Sequence, residues 1–151
     1  MATPIKTYKA GLDIGSTTAK IVVVDEEARV TFSAYERHNT KVYETIGLFL
    51  KDAVETLDKC NIDLLITGSA GMGISEKSGI PFIQEVIATE EVVRKRYPEV
   101  KTLIDIGGED SKMIFFNEER LPDIRMNGNC AGGTGAFIDQ IATLLNVTPQ
   151  D

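Results

Sequence analysis

Apolar and polar residues follow one another along the first third of the chain in a pattern that predicts three strands and then a helix. Short apolar segments lead up to Ile14 and cover residues 19–24, and apolar and polar side chains alternate over residues 29–37. Each of these patterns is typical of a strand. Residues 42–57 then carry apolar side chains at helical spacing, which predicts a helix of about four turns that packs on the sheet.

The pattern then changes to strands and helices in alternation. Residues 64–66 form a predicted buried strand that leads into a glycine-rich segment at residues 67–73, and residues 85–97 form a predicted helix that ends before Pro98. The glycine-rich segment has two interpretations. It lies beside a ligand at the end of its strand, or it only turns the chain into the next helix. The pattern as a whole predicts the α/β class, with a mixed sheet and flanking helices.

One hairpin occurs twice in the sequence. Residues 13–27 (DIGSTTAKIVVVDEE) align without a gap on residues 105–119 (DIGGEDSKMIFFNEE), and the copies share Asp, Ile, Gly, Lys and a closing Glu-Glu. The repeat predicts two similar lobes, the first at residues 1–98 and the second at residues 99–151. Because the first lobe continues with a strand, a crossover and a helix that the second lacks, we expect the second lobe to be incomplete at its C-terminus.

Small and polar residues form the turn of each hairpin, and they indicate a phosphate site. Glycine lets backbone N–H groups approach a bound anion closely, and hydroxyl groups add donors. The carboxylates of Asp13 and Asp105 can hold Mg2+ through water or orient an attacking water. Two such turns facing each other would grip a polyphosphate from both sides. The alternative is that both are ordinary connections between strands, because short glycine motifs often occur by chance.

Cys130 lies in a further glycine-rich segment, MNGNCAGGTG at residues 126–135, which leads into a predicted helix. Exposed N–H groups and the helix dipole favour a thiolate at a helix N-terminus, so Cys130 is a candidate nucleophile or metal ligand. The alternative is a small apolar residue in a tight turn. Cys60 is expected at the end of a helix in a structural role, and His38, the only histidine, is expected to be solvated.

Composition and charge narrow the class of partner. The chain has 151 residues, of which 42% are hydrophobic, and a formal net charge of -7. We do not expect such an acidic protein to bind nucleic acid or an anionic membrane surface. No apolar run approaches the ~20 residues that span a bilayer, and two cysteines are too few for a disulfide framework. We therefore expect a cytoplasmic protein.

Three segments together resemble one family: DIGSTTAK, DIGGEDSK and MNGNCAGGTGAFIDQIA. They are similar to the ATP-hydrolysing activases of 2-hydroxyacyl-CoA dehydratases and the related ATPase subunits of benzoyl-CoA reductases, in the superfamily of sugar kinases, heat-shock chaperones and actin. The resemblance implies lobes of the ribonuclease H-like, actin-type ATPase fold. The residues that match the family's first phosphate segment are Asp13, Gly15, Ser16, Thr17, Thr18 and Lys20. The residues that match its second segment are Asp105, Gly107, Gly108, Asp110 and Lys112, and Cys130 matches its first cluster ligand.

The family implies a homodimeric one-electron donor that binds ATP and Mg2+ and passes its electron to a dehydratase or reductase partner. A [4Fe-4S] cluster is shared between the subunits, and each subunit gives two cysteine ligands. The second cysteine and the glycine motif that holds adenosine would lie beyond Asp151. Glu109 stands where the compact activases tend to have Gln, which leaves the partner class open. We therefore expect the N-terminal portion of such an activase.

Two other functions remain open from the sequence. A small-molecule kinase of the same superfamily would transfer phosphate to an acceptor hydroxyl, but residues 68–98 indicate no acceptor pocket and Cys130 would have no role. A non-catalytic, nucleotide-dependent assembly module of the actin type would polymerise with ATP and carry out no redox chemistry.

Overall fold

A computed structural model describes residues 5–57, 59–117, 122–130 and 132–149. The chain divides after Glu85 into two compact units. Within the described ranges, no helix is both long enough and apolar enough to cross a membrane.

A four-stranded sheet forms the first unit. β1 (Lys6–Ile14), β2 (Thr18–Val24) and β3 (Val30–Arg37) form an antiparallel meander, and β4 (Cys60–Thr67) pairs with the other edge of β1 in parallel. The sheet order is therefore β3-β2-β1-β4. A parallel neighbour requires a crossover connection, and α1 (Val42–Leu57) supplies it. The three strands and the helix predicted from the apolar pattern are confirmed.

Alternate residues of the two central strands form the core of this unit, because successive side chains on a strand point to opposite faces. The buried side chains of β1 and β2 are Ala10, Leu12, Ile14, Ala19, Ile21 and Val23. From α1, Phe49 and Ala53 belong to the same cluster, and they lie one helical turn apart. The apolar spacing of the helix thus places one of its faces on the sheet.

Two helices follow β4, and they are α2 (Gly71–Ser78) and α3 (Glu85–Arg96). Between them, Phe82 forms a parallel bridge with Ile66 of β4. Cys60 is the first residue of β4 and is partly buried. The expectation that Cys60 ends a helix was wrong, because its backbone already pairs with Lys6 of β1.

After α3, the second unit repeats the order of the first four elements of the first unit with shorter elements. β5 (Thr102–Ile106), β6 (Ser111–Phe115) and β7 (Asp123–Asn127) form an antiparallel three-stranded sheet, and α4 (Gly135–Leu145) follows it. The order of three antiparallel strands and a helix is the order of β1, β2, β3 and α1. The two units thus share this order of elements, and the division into two lobes at residues 98–99 stays a prediction.

The core of the second unit is small and includes part of α3. Val93 of α3 packs with Ile114 of β6 and with Phe116. This packing explains why the compact unit begins at Val86, whereas the lobe boundary predicted from the sequence lies at residues 98–99. Large apolar side chains are exposed on the sheet and on α4, among them Ile104, Met126, Leu144 and Leu145.

Candidate functional site

The first hairpin brings its predicted site residues together at one end of the sheet. The pairing of β1 with β2 places Asp13 opposite Lys20, and the Lys20 ammonium lies 2.8 Å from the Asp13 carboxylate. Residues 15–17 form the turn, and the Gly15 N–H donates to the Thr18 carbonyl across it at 2.9 Å. The Asp13 side chain is 33% exposed, so its carboxylate is accessible to water and ions.

The glycine-rich segment after β4 packs against the same end of β1. Thr67 pairs with Asp13, and the Ala70 N–H donates to the Ile14 carbonyl at 2.9 Å. Gly68 has a φ of +92°, and a Cβ at this position would lie 2.5 Å from Asp13 Oδ1. The Thr67 hydroxyl is buried and has no hydrogen-bond partner within the part of the chain that the structure describes. The segment therefore contacts the first hairpin as well as leading into α2, and a contact with a ligand stays a prediction.

His38 lies against the first turn and is 5% exposed, so the expectation that it is solvated was wrong. Its Nε2 lies 3.1 Å from the Gly15 carbonyl oxygen, and its backbone N–H donates to the Thr17 carbonyl at 3.2 Å. The reason is topological, because β3 runs antiparallel to β2 and the residue after β3 must lie beside the turn that precedes β2. The predicted meander was the signal in the sequence that pointed to this position.

The second hairpin has the same register but a different ion pair. Asp105 lies opposite Lys112, as the repeat predicts. Lys112 Nζ lies 2.9 Å from Asp110 Oδ2 and 4.0 Å from Asp105 Oδ2, and the Lys112 side chain is only 8% exposed. The first hairpin has Thr18 at the position of Asp110. The second turn is therefore more acidic, and its lysine lies between two carboxylates.

The N-terminus of α4 holds the second turn. The Gly135 N–H donates to the Gly107 carbonyl at 2.8 Å, and the Ala136 N–H donates to the Gly108 carbonyl at 2.9 Å. N–H groups in the first turn of a helix have no acceptor within the helix, so they are available for such contacts. The start of α4, which follows the Cys130 segment in the sequence, thus fixes the turn of the second hairpin.

Cys130 lies in an exposed loop between β7 and α4. The Gly132 N–H donates to its sulfur at 3.4 Å, and the Asn127 side-chain amide donates to the carbonyls of Cys130 (3.3 Å) and Gly132 (3.1 Å). Exposure and a backbone donor are compatible with a thiolate that ligates iron. Among the described residues, no group of three or more His, Cys, Asp or Glu side chains is placed to hold a metal ion. This segment can therefore give one ligand to a metal centre.

Both hairpins and the Cys130 loop lie within one family match. Residues 10–151 match the model of the BadF/BadG/BcrA/BcrD ATPase family. The chain belongs to this family. The resemblance that the sequence motifs indicated is thereby confirmed. The family is one of ATPases.

Two curated relatives of this family member are named as activators of dehydratases. The 2-hydroxyisocaproyl-CoA dehydratase activator of Clostridioides difficile is 32% identical over 151 residues, which cover 93% of this chain and 53% of the relative. The (R)-2-hydroxyglutaryl-CoA dehydratase activating ATPase of Acidaminococcus fermentans is 28% identical over 146 residues, which cover 95% of this chain and 56% of the relative. The chain thus spans about half the length of these relatives.

A solved structure of an activator has the same fold. The activator of the 2-hydroxyisocaproyl-CoA dehydratase from Clostridium difficile, with bound ADPNP, superposes with a TM-score of 0.78 at 29% identity. The superposition covers 94% of this chain and 53% of that chain. The predicted fold class, α/β with lobes of the actin-type ATPase fold, is confirmed for this member of the BadF/BadG/BcrA/BcrD ATPase family.

Proposed function

We propose that this chain is the N-terminal portion of an ATP-hydrolysing, iron-sulfur reductive activase that drives one-electron transfer to a 2-hydroxyacyl-CoA dehydratase or a related CoA-ester reductase. The observation that carries the proposal is the pair of hairpins with one register, each with an aspartate opposite a lysine beside a glycine turn. Two findings support a role of the two hairpins in ATP hydrolysis. The chain belongs to an ATPase family, and its relatives are named as activators of dehydratases.

In this proposal, both turns bind phosphate groups of Mg-ATP. The donors are backbone N–H groups of the turns and the hydroxyls of Ser16, Thr17 and Thr18. The ADPNP bound to the related activator supports a nucleotide ligand. Asp13 and Asp105 hold Mg2+ through water or orient the water that attacks the γ-phosphorus, after which ADP and phosphate leave.

The roles of the lysines follow from their ion pairs. Lys20 holds the Asp13 carboxylate in one position, and Lys112 does the same for Asp110. Each ammonium also reduces the repulsion between these carboxylates and a polyphosphate. An acidic protein can bind ATP in this way, because the charge that matters is local.

Asp13→Asn tests the hydrolytic role. The substitution keeps the shape of the side chain and removes its charge, so we expect phosphate release to slow by ~10²-fold or more, the usual contribution of a positioned acid or base. The matched control is Asp63→Asn, which changes an exposed acid on β4 of the same sheet and is expected to keep the wild-type rate. Unchanged turnover in Asp13→Asn contradicts the role.

The iron-sulfur part of the proposal rests on Cys130. A [4Fe-4S] cluster is normally held by four thiolates, and it carries one electron at a time when bound. Cys130 fits as one ligand per chain, because the residue is exposed and Asn127 fixes its loop through hydrogen bonds to two of its carbonyls. A cluster shared by two chains requires a homodimer and further cysteines. We place the protein in the cytoplasm, where thiols stay reduced.

Anaerobic reconstitution of the full-length gene product with iron and sulfide tests this part. We expect a brown protein with a thiolate-to-iron absorption band, which Cys130→Ala loses and the control Cys60→Ala keeps. A full-length protein that stays colourless contradicts the cluster. ATP consumption that rises with an added sugar or carboxylate would favour the kinase alternative, and ATP-dependent light scattering would favour the assembly module.

A further inference from the structure

Two carbonyl groups of the first phosphate turn are held by one residue, His38. Its Nε2 lies 3.1 Å from the Gly15 carbonyl oxygen, and its backbone N–H donates to the Thr17 carbonyl at 3.2 Å. The Thr40 N–H donates to Nδ1 at 3.3 Å. Because Nδ1 accepts this hydrogen bond, the proton of the neutral ring lies on Nε2, which donates it to Gly15. Both ring nitrogens therefore have a defined role.

The backbone after His38 is bent so that it holds the ring. Asn39 and Thr40 have φ values of 46° and 68°, which are left-handed conformations. A β-branched residue rarely adopts this conformation, and it persists only where the surroundings fix it. The bend brings the Thr40 N–H back to the imidazole, and it brings the Lys41 N–H to the His38 carbonyl at 2.7 Å. The ring is thus positioned before any ligand is bound.

The second copy of the hairpin holds the equivalent carbonyl by other means. Gly107 is the counterpart of Gly15 in the repeat, and its carbonyl accepts the Gly135 N–H at the start of α4 at 2.8 Å. In the first unit, α1 begins only at Val42, and the His38 side chain supplies the donor. Both hairpins therefore have the same carbonyl fixed by a group outside the hairpin.

A fixed carbonyl determines the direction of the next N–H group. The described chain has no cis peptide bonds, and in a trans peptide the C=O and N–H groups point in opposite directions. Holding the Gly15 carbonyl on His38 therefore directs the Ser16 N–H away from the buried ring. The hydrogen bond to Gly107 directs the Gly108 N–H away from α4 in the same way. These are the N–H groups that the proposed function assigns to phosphate.

We propose that His38 is a positioning residue for the nucleotide. Its Nε2–H holds the Gly15 carbonyl so that the first turn presents the Ser16 N–H to phosphate before the ligand arrives. Ordering the turn in advance lowers the entropy that binding must overcome. The inference rests on the proposed function, because it takes this turn as a phosphate site. His38 itself does not contact the nucleotide.

Two substitutions separate the Nε2 donor from the rest of the side chain. Gln places an N–H donor near the position of Nε2, whereas the shorter Asn side chain places its amide near the position of Nδ1 and does not reach the Gly15 carbonyl. We expect His38→Asn to bind Mg-ATP roughly 3- to 10-fold more weakly than the wild type, the effect of about one net hydrogen bond, and His38→Gln to stay within about twofold. The dissociation constants are measured by calorimetry on the full chain as encoded.

A stability control distinguishes positioning from support of the fold. Ala53→Gly weakens α1 of the same unit without touching the turn, because Ala53 is buried on the sheet side of the helix. We expect Ala53→Gly to lower the thermal unfolding midpoint and to leave the affinity for Mg-ATP unchanged at temperatures where the protein is folded. A loss of affinity in the His38 variants that merely follows their unfolding midpoints overturns the inference.

The remaining outcomes separate this inference from the function on which it rests. If His38→Gln and His38→Asn lose affinity equally, the Nε2 donor has no special role and only the inference fails. If the wild type binds no Mg-ATP, the proposed function fails together with the inference. Rescue by Gln, with loss in Asn, supports both.

Discussion

Gly68→Ala is expected to disturb the first hairpin from the segment that follows β4. A Cβ on Gly68 would meet the Ile14 carbonyl oxygen, and it would lie 2.5 Å from Asp13 Oδ1 and 2.6 Å from the Ile14 carbonyl carbon. The Ile14 atoms belong to the backbone of β1, which cannot shift without disturbing the sheet. The Asp13 carboxylate would have to rotate away from the new Cβ, which disturbs its ion pair with Lys20. The substitution therefore acts on both the fold and the site.

The change in the free energy of unfolding caused by Gly68→Ala has three parts. A left-handed backbone costs an L-residue about 1–2 kcal/mol, and overpacking a well-packed site costs about 1–3 kcal/mol. The lower chain entropy of unfolded alanine recovers about 0.4–1 kcal/mol. We expect the free energy of unfolding to fall by about 3 kcal/mol, the middle of the combined range, which lowers the unfolding midpoint of a unit of this size by roughly 12–24 °C.

Thermal unfolding by circular dichroism and phosphate release are measured on the same preparations. The matched control is Gly73→Ala, because the residue lies in α2 and a Cβ on it would meet no described atom within 4 Å beyond its chain neighbours and the helix's own backbone. Its midpoint is expected to stay the same or rise, since alanine is the better helix former. A Gly68→Ala midpoint within a few degrees of the wild type would refute the reasoning.

Two further predictions concern charged groups. Lys112→Met is expected to lower the free energy of unfolding by about 1–3 kcal/mol and Lys20→Met by about 0–1 kcal/mol, because the Lys112 side chain is 8% exposed and that of Lys20 is 46% exposed. Urea unfolding checks this order, and equal costs would contradict it. Hydrogen bonds from the Arg29 backbone, and then from its side chain, hold the pKa of Asp25 below its ordinary value of 3.8. Because the folded pKa is depressed, Asp25 stabilises the fold above about pH 4 and loses this contribution as the pH falls through the folded pKa. The stability difference between wild type and Asp25→Asn, from urea titrations, should therefore narrow between neutral pH and about pH 3, and a constant difference would count against this role.

Much of the site was predictable because its register repeats. The spacing from Asp13 to Lys20 equals that from Asp105 to Lys112, so one hairpin geometry places both pairs opposite each other. The ion pairs themselves were not predictable. Lys112 turns to Asp110, where the first copy has a threonine, and one changed residue in the turn decides which carboxylate the lysine meets.

His38 shows where local pattern fails. Its position after an alternating strand is typical of a solvated residue, yet it is buried against a turn that lies 23 positions earlier in the chain. The packing of α3 is a similar case. Its charged residues and weak apolar pattern give no sign of its partner, but Val93 packs with β6 and draws the helix into the second unit.

The sequence by itself determined the family, the strands of both hairpins, their glycine-containing turns and the Cys130 loop. These features are local, because alternation and glycine content act over a few neighbouring residues. Only the tertiary structure decided which group holds each turn, His38 in one unit and the start of α4 in the other. The reason is physical: the carbonyls of a turn take their partners from whichever strand or helix the topology brings beside them.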